Sequence, residues 1–229
     1  MWNKIQRIYV GTNLVYPKTV PQNWLLWYRP LEIDVNDQSW NWKNLTKTWC
    51  SFWTIWDKAG IRLSTAYTDT PSDYLVTPDI WKPTTFSFCG RLYKTNNNTS
   101  GYNDRTAFFD NATSDTTNSL RLRAKYKQFR WIAYGWQIYD GVYTIPTNTW
   151  ICLWFTSDGS TLKLYVNWIL VYTGTAGAIA TDASDKYYIW KWYFNSSQSR
   201  CWVWWIRHFA LYNRELSADE IISYYNITS

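Results

Sequence analysis

The sequence predicts an all-β protein, an antiparallel jelly-roll β-sandwich that ends in a short helix. Short runs rich in Val, Ile, Tyr, Phe and Thr alternate with polar turns along most of the 229 residues, which is the spacing of antiparallel strands. No long helical period interrupts these runs. Because 46% of the residues are hydrophobic, the chain can bury a core of one large domain, which is favoured over two small domains.

The first 22 residues are predicted to form a leader. Residues 5–10 and 14–17 are apolar runs on either side of a turn at residues 11–13, and this pattern is typical of a small β-ribbon. Pro17 and Pro21 follow the ribbon and interrupt strand pairing. We therefore predict a leader over residues 1–22 and a sandwich domain over residues 23–229.

About ten to fourteen strands are expected in all. The clearest runs lie at residues 61–66, 85–94, 106–109, 120–126, 129–139, 150–157, 161–166, 169–173, 187–193 and 203–212.

The runs at 161–166 and 169–173 are joined by Asn167-Trp168, where a two-residue type I′ turn is expected. That turn requires positive φ at both central residues and favours Asn-Gly. An ordinary L-residue pays roughly 1 to 2 kcal/mol for a left-handed backbone, whereas glycine pays nothing. Trp168 is therefore a poor residue for the turn that the flanking strands demand.

Tryptophan is abundant where glycine is scarce, with nineteen Trp and nine Gly in the chain. We hypothesise that many of these residues are glycine in the living protein, encoded by UGA codons that have been read as tryptophan. Restoring roughly fifteen would raise Gly to about 10% of the chain, against a usual 7%. Trp150 is the best candidate for a genuine tryptophan, because it opens a core strand. The other suspected positions fall at predicted segment starts, loop tips or tight spacings: Trp24, Trp27, Trp40, Trp42, Trp53, Trp56, Trp190, Trp192, Trp202, Trp204 and Trp205.

One helix is predicted, at the end of the sequence. Ser217 and Glu220 are spaced as a capping box, in which each side chain binds the backbone N–H of the other residue. Ile221, Ile222 and Tyr225 follow as an apolar stripe that can dock on the sandwich.

Two long polar loops, at residues 95–105 and 110–119, are the predicted recognition site. An aromatic ring with polar flanks is the usual arrangement for binding a sugar. The candidate ligand-binding residues are Asn97, Tyr102, Asp104, Asp110 and Asn111. Calcium stays open as a cofactor, since Asp104, Asp110, Asn111 and Asp115 offer hard oxygen ligands without a spacing that fixes a cage.

Charge and hydropathy narrow the classes of partner. The net charge is +6, yet the basic residues are scattered and form no nucleic-acid patch. No apolar run is long enough to insert into a membrane, and the amino terminus has no signal-peptide pattern. We therefore expect neither nucleic-acid binding nor membrane insertion. Homo-oligomers and virion partners stay open.

The inventory of reactive side chains gives little support to an enzyme. His208 is the single histidine and lies in a strand pattern, while no nucleophile elbow or phosphate loop is present. Widely spaced cysteines are predicted to be buried free thiols, with one or two disulfides left open. These cysteines are Cys50, Cys89, Cys152 and Cys201.

A glucanase would need two carboxyl groups about 5 to 5.5 Å apart. Glu32 and Asp34 share one face of a strand, but the next residue on that face is Asn36. The carboxyl group that would act as the catalytic acid is therefore missing, and residues 32–37 are better interpreted as a linker.

Residues 150–168 and 211–225 together resemble the signature hairpin, last strand and closing helix of laminin G-like domains in the concanavalin A-like lectin/glucanase superfamily. Residues 24–31 and 37–42 also fit if their tryptophans are glycines. The resemblance implies a jelly roll of two curved antiparallel sheets, used mostly to bind glycans or proteins and sometimes calcium.

The leader at residues 4–17 resembles short segments that begin phage virion and tail-associated proteins. We therefore expect a non-catalytic recognition or adhesion module that binds cell-surface glycan or protein, as a phage receptor-binding or decoration protein outside the cell or on a virion. The alternatives are a coat subunit and, with less support, a β-glucan hydrolase.

Overall fold

The computed structural model describes residues 8–10, 13–16, 25–29, 46–48, 51–55, 58–63, 74–77, 79, 84–94, 105–110, 120–125, 128–133, 137–139, 143–175, 186–189 and 204–228. These residues form seventeen strands and one helix. The elements are β1 (Ile8–Val10), β2 (Asn13–Tyr16), β3 (Leu25–Arg29), β4 (Thr46–Thr48), β5 (Ser51–Ile55), β6 (Lys58–Leu63), β7 (Tyr74–Val76), β8 (Thr85–Lys94), β9 (Arg105–Asp110), β10 (Leu120–Lys125), β11 (Gln128–Ala133), β12 (Gln137–Tyr139), β13 (Trp150–Asp158), β14 (Thr161–Val166), β15 (Ile169–Thr175), β16 (Tyr188–Ile189), β17 (Trp204–Tyr212) and α1 (Ala218–Thr228).

Two large antiparallel sheets confirm the predicted jelly-roll sandwich. One sheet has the order β15-β14-β13-β8-β17-β6-β5, with β3 also paired to β17, and the other has the order β12-β11-β10-β9-β16-β7-β4. β8 and β9 each lie in the middle of their sheet. β1 and β2 pair separately as the predicted ribbon, with Val10 opposite Asn13. The division into leader and domain at residue 22 stays a prediction.

The predicted strand at 129–139 is two strands. β11 and β12 pair as a hairpin, with Trp131 opposite Tyr139. Gly135 lies between the two strands in the sequence and is a local signal of this break. Trp27 and Trp53 lie inside β3 and β5, so neither is the first residue of its strand.

The turn between β14 and β15 has the geometry that the sequence predicts. Asn167 has a φ of 47° and Trp168 a φ of 65°, so both central residues are left-handed, as a type I′ turn requires. The Asn167 side-chain oxygen accepts a hydrogen bond from the Cys152 backbone N–H at 2.8 Å. The Asn167 backbone N–H donates to the Cys152 carbonyl oxygen at 2.9 Å. The turn is thereby tied to the neighbouring strand β13.

β17 changes its pairing partner along its length on one side of the larger sheet. Its first half pairs with β6 from Trp204 to Ile206, and its second half pairs with β3 from Phe209 to Tyr212. On the other side it pairs with β8, with a register shift between Arg207 and Ala210. His208 lies in this bulge and has a φ of 49°, a left-handed backbone that histidine adopts more readily than most residues.

Both faces of β8 are buried. Phe86, Phe88 and Leu92 point to the interior of the sandwich, where Phe86 packs on Phe155 with ring centroids 5.5 Å apart. The opposite face is covered by α1 and the segment before it. This second core joins one face of the sheet to the helix and contains Cys89, Cys152, Trp154, Ala210, Tyr212, Leu216, Ile221 and Tyr224.

The capping box that starts α1 is confirmed. The Glu220 N–H donates to the Ser217 hydroxyl at 3.3 Å, and the Ser217 N–H donates to the Glu220 carboxylate at 3.0 Å. The predicted docking stripe is partly wrong, because Ile222 is 41% exposed while Tyr224 is fully buried. Ile221 and Tyr224 are three residues apart and share one side of the helix, and Tyr224 packs on the Trp154 ring at 4.9 Å.

Candidate functional site

The loop at residues 95–104 joins the middles of the two sheets. β8 ends at Lys94 in the larger sheet, and β9 begins at Arg105 in the smaller one. Residues 95–104 therefore connect the central strand of one sheet to the central strand of the other. Of the predicted ligand-binding residues, Asn97, Tyr102 and Asp104 belong to this loop and lie outside the described residues.

Asp110 and Asn111 belong to the opposite end of β9. Asp110, predicted as the first residue of a loop, is the last residue of the strand and pairs with Arg121 and Tyr188. Asn111 lies outside the described residues. Because an extended strand rises about 3.3 Å per residue, the backbones of Arg105 and Asp110 are about 17 Å apart. The five predicted residues thus form two groups, one attached to each end of β9.

Arg91, Tyr225 and Trp168 form a chain of contacts beside α1. The Arg91 guanidinium lies 4.4 Å from the centre of the Tyr225 ring and donates to the Tyr225 carbonyl oxygen at 2.6 Å. The Trp168 ring meets the Tyr225 ring edge to face, with centroids 4.3 Å apart. Arg91 on β8 is buried, and its cation–π contact holds the Tyr225 ring of α1 against the sheet.

The large exposed hydrophobic residues of the described part of the chain lie next to this contact. They are Trp168, Ile169 and Leu170 at the β14–β15 turn and Ile222 on α1, and we call them the apolar corner. Ile222 and Tyr225 are three residues apart on the helix, which places them on adjacent turns. This corner was not predicted, although Ile169-Leu170 directly after the predicted turn is its signal in the sequence.

A second aromatic group lies further along the same face of β8 and β13. Tyr93 contacts Trp150 at 5.4 Å and Trp205 at 5.8 Å between ring centroids. The Arg207 guanidinium lies 5.9 Å from the centre of the Trp150 ring. Trp150 therefore takes part in the packing of the sheet.

Two of the three glutamates in the chain are held in ion pairs. Glu215 accepts from the Lys163 ammonium at 2.8 Å and from the Thr156 hydroxyl at 3.1 Å. Glu220 accepts from both terminal nitrogens of Arg214, at 2.8 and 2.5 Å. The hydrogen bonds from Arg214 lower the pKa of Glu220 to about 2. Both carboxylates thus fasten the segment that leads into α1. Glu32 lies outside the described residues.

Cys89 and Cys152 are buried free thiols, as predicted. They are diagonal neighbours on β8 and β13, since Cys89 lies opposite Trp154 and Cys152 opposite Arg91. Burial raises the pKa of Cys89 and raises that of Cys152 to about 11, which keeps both in the unreactive thiol form. Cys50 and Cys201 lie outside the described residues, so the question of disulfides stays open for them.

No group of three or more His, Cys, Asp or Glu side chains in the described part of the chain could hold a metal ion. Asp104, Asn111 and Asp115, three of the four predicted calcium ligands, lie outside that part. No described helix combines the length and apolarity needed to span a membrane.

Comparison with known families decides the identity of the fold. The family model described as the concanavalin A-like lectin/glucanases superfamily, of the laminin G type, matches residues 65–222, more than half of the chain. The chain belongs to this family. The match includes the hairpin and nearly all of the closing segment that carry the resemblance in the sequence. Among curated proteins, none matches the chain.

Solved structures of similar fold include binding domains of botulinum neurotoxins. The serotype D binding domain is 16% identical with a TM-score of 0.66, and the alignment covers 90% of this chain and 52% of that one. Another such structure belongs to botulinum neurotoxin type C, a toxin whose cell entry depends on interaction with two ganglioside molecules. It is 13% identical with a TM-score of 0.68, and the alignment covers 91% of this chain and 52% of that one. The serotype D ligand-binding domain in complex with N-acetylneuraminic acid is 16% identical with a TM-score of 0.66 and coverages of 90% and 51%. This chain spans about half the length of these structures, and the likeness establishes the fold.

Proposed function

We propose that this chain is a non-catalytic recognition module that binds a cell-surface glycan or protein through loop 95–104. The observation that carries the proposal is the connection that this loop makes, since it links the central strands of the two sheets. Rim loops on a rigid sandwich are where such folds place their binding residues. Membership of a lectin and glucanase superfamily supports a carbohydrate ligand.

Tyr102 is proposed as a platform for a sugar ring, with Asn97 and Asp104 beside it in sequence. A tyrosine ring buries the apolar face of a sugar, while amide and carboxylate oxygens accept its hydroxyl hydrogens. Asp110 and Asn111 are attached to the far end of β9 and would contact a separate part of an extended ligand. The gangliosides and N-acetylneuraminic acid of the similar structures belong to those proteins and show that this fold accommodates glycans.

The ion pairs of two of the glutamates favour a binding role without catalysis. A retaining glycosidase needs two carboxyl groups free to act as nucleophile and acid. Glu215 and Glu220 are instead held by Lys163 and Arg214, which leaves Glu32 as the remaining glutamate.

We also propose the setting of a phage virion, in which UGA codons encode glycine at many of the tryptophan positions. The ribbon of β1 and β2 supports the first part, as it matches the predicted form of the virion-like leader. The left-handed φ values of Asn167 and Trp168 support the second, because this turn favours Asn-Gly. Sequencing the gene tests both ideas, through the nineteen codons and the neighbouring genes.

A glycan array probed with the purified chain tests the binding role. The variants Tyr102→Ala and Asp104→Ala are expected to lose at least tenfold in signal for the bound glycan, about 1.4 kcal/mol. Asp79→Ala is the matched control, since Asp79 is an exposed acid outside both loops that forms an ion pair with Lys186 at 3.8 Å. Purification as a large assembly that buries loop 95–104 would favour a coat subunit instead.

A further inference from the structure

The outer face of the smaller sheet can be followed from strand to strand through its register. Leu75 of β7 lies opposite Ile189 of β16, and both are fully buried. Val76 lies opposite Tyr188, and both are half-buried, so this second pair belongs to the outer face of the sandwich. Tyr188 is also paired with Asp110 of β9, which places Asp110 on the same outer face.

The register carries this face on to β10. Arg121 lies opposite Asp110 and is therefore on the outer face as well. Successive residues of a strand alternate between its two faces, so Arg123 and Lys125 follow Arg121 on that face. The apolar residues between them fall on the inner face, as the core of a sandwich requires.

Two further cations occupy the neighbouring strands at the same level. Arg130 of β11 lies directly opposite Arg123, and Arg105 of β9 lies directly opposite Lys125. Directly opposite residues have their Cβ atoms about 4.5 to 5.5 Å apart. Two pairs of like charges thus lie side by side on one face, and we call them the basic block: Arg105, Arg123, Lys125 and Arg130.

The three strands of the basic block hold most of the net charge of the chain. β9, β10 and β11 contain five basic residues and one acidic residue, a net charge of +4, against +6 for the whole chain. Like charges placed directly opposite each other destabilise a sheet, and an anion bound across them removes this cost. Arginine binds carboxylates and phosphates through two parallel hydrogen bonds, and a sulfate group presents the same tetrahedral oxygens as a phosphate.

We propose that the basic block binds the acidic groups of a linear anionic glycan, one that carries carboxylate or sulfate groups along its length. The inference rests on the proposed recognition function and names the class of its ligand. Arg105 is the first residue of β9 and directly follows loop 95–104. The basic block therefore begins where the proposed sugar-binding loop ends, and one extended ligand can contact both.

The geometry of the sheet favours a glycan over a nucleic acid. Ala107 lies opposite Arg123, and Gln128 lies opposite Lys125, so these positions offer no ring on which the bases of a single strand could stack. The major groove of a duplex is about 12 Å wide and admits a two-stranded ribbon. β10 lies inside a seven-stranded sheet, which is too broad to enter that groove. Membership of a lectin and glucanase superfamily agrees with a glycan.

Titration of the full chain with defined polyanions tests the proposal. The probes are heparin, which carries sulfate, polysialic acid, which carries carboxylate alone, chemically desulfated and carboxyl-reduced heparin, and a DNA duplex. We expect heparin or polysialic acid to bind at least tenfold more tightly than the neutral polymer and than DNA, and the better of the two identifies the acidic group. The affinity should fall steadily with rising salt concentration, because each ion contact releases a counterion from the polyanion.

A double variant isolates the basic block. Arg123→Gln combined with Arg130→Gln should weaken binding at least tenfold and reduce the slope of log affinity against log salt concentration by about 2, one for each lost contact. Lys58→Gln combined with Arg62→Gln is the matched control, because it removes the same charge from β6 of the larger sheet. This control should change the affinity less than threefold.

Loss of binding by unfolding is separated from loss of the site in two ways. The urea midpoint of the Arg123 and Arg130 double variant should be no lower than that of the wild type, since the variant relieves a like-charge pair. If it does not fold, Arg105→Gln combined with Lys125→Gln removes the other pair and should give the same loss of affinity and salt slope.

The outcomes distinguish the basic block from loop 95–104. Heparin or polysialic acid binding that survives in Tyr102→Ala and is lost in the double variant would support the basic block and reject the loop. Binding that is lost in Tyr102→Ala and unchanged in folded variants of both pairs would overturn the basic block and leave the loop. Equal losses in the double variant and its control, binding to DNA as tight as to either acidic glycan, or no binding to an acidic glycan would also overturn the proposal.

Discussion

Asn167 and Trp168 lie side by side in the left-handed region of backbone space, with φ values of 47° and 65°, at the tip of the β14–β15 hairpin. The flanking strands impose this conformation, since a type I′ turn matches the twist of a two-residue hairpin. Asparagine accepts it readily, and tryptophan does so at a cost of roughly 1 to 2 kcal/mol. The indole recovers part of this cost by packing on Tyr225.

Replacing Trp168 by glycine should give a more stable protein than replacing it by alanine. Both variants lose the ring contact with Tyr225, so their difference isolates the backbone. Glycine avoids the steric cost of the left-handed conformation, and we expect it to be the more stable by about 1 kcal/mol in urea unfolding.

Trp154 provides the matched control, because it lies in the extended strand β13. There the order should be reversed, with alanine more stable than glycine by roughly 0.5 to 1 kcal/mol. The same order of stability at both positions would contradict the turn geometry.

Gly60→Ala should destabilise the larger sheet by about 1 to 3 kcal/mol. A methyl group at Gly60 would lie 2.8 Å from the backbone carbonyl oxygen of Ile206 on β17, and neither strand can move without breaking the pairs between β6 and β17. Gly174→Ala is the control, because the added methyl group meets the Tyr172 side chain, which can rotate away. Urea unfolding of the two variants should show the larger loss for Gly60→Ala, and equal losses would argue against this packing.

Glu220 should stabilise the protein at neutral pH and lose this effect in acid. Its pKa in the folded protein is lowered to about 2, chiefly by Arg214, from an ordinary value of 4.5. The stabilisation is therefore complete above about pH 4.5 and disappears as the pH falls towards 2. Glu220→Gln should cost about 1 kcal/mol at pH 7, as the loss of a helix cap does, and progressively less between pH 4.5 and 3.

The control for this series is Asp219→Asn, which removes a neighbouring exposed acid from the same helical turn. Its effect at pH 7 should be at most about 0.5 kcal/mol, the contribution of a charge near a helix terminus. Urea midpoints measured at pH 7, 5, 4 and 3 give both comparisons. A penalty for Glu220→Gln that is unchanged at pH 3 would show that the ion pair is not its source.

Local signals in the sequence were sufficient for the hairpin and the start of the helix. The turn at Asn167-Trp168 and the capping box of Ser217 and Glu220 each depend on residues within four positions, so their geometry follows from the sequence alone. The apolar stripe of α1 was harder to predict. Ile222 and Tyr224 are both apolar enough to dock, and the second core buries Tyr224 because its hydroxyl reaches the carbonyl of His208.

Long-range pairing limits what the sequence can show. The bulge at His208 exists because β17 serves two partners, β6 and β3, which are distant in sequence and give no local signal. The same limit applies to the predicted binding residues, since Asp104 precedes the first residue of β9 in the sequence and Asp110 is its last residue. Asp104 and Asp110 were expected to act together because they are close in sequence, but the extended strand β9 separates their positions.

The most direct test of non-catalytic recognition follows the fate of a bound glycan. The full chain is titrated with a glycan identified on the array, and the bound fraction and the number of free reducing ends are measured in the same sample. The account predicts saturable binding, weakened at least tenfold in Tyr102→Ala, with no new reducing ends over hours. Release of reducing ends that is lost in Glu32→Gln would instead identify a glycan hydrolase, and the absence of binding to any glycan would contradict carbohydrate recognition.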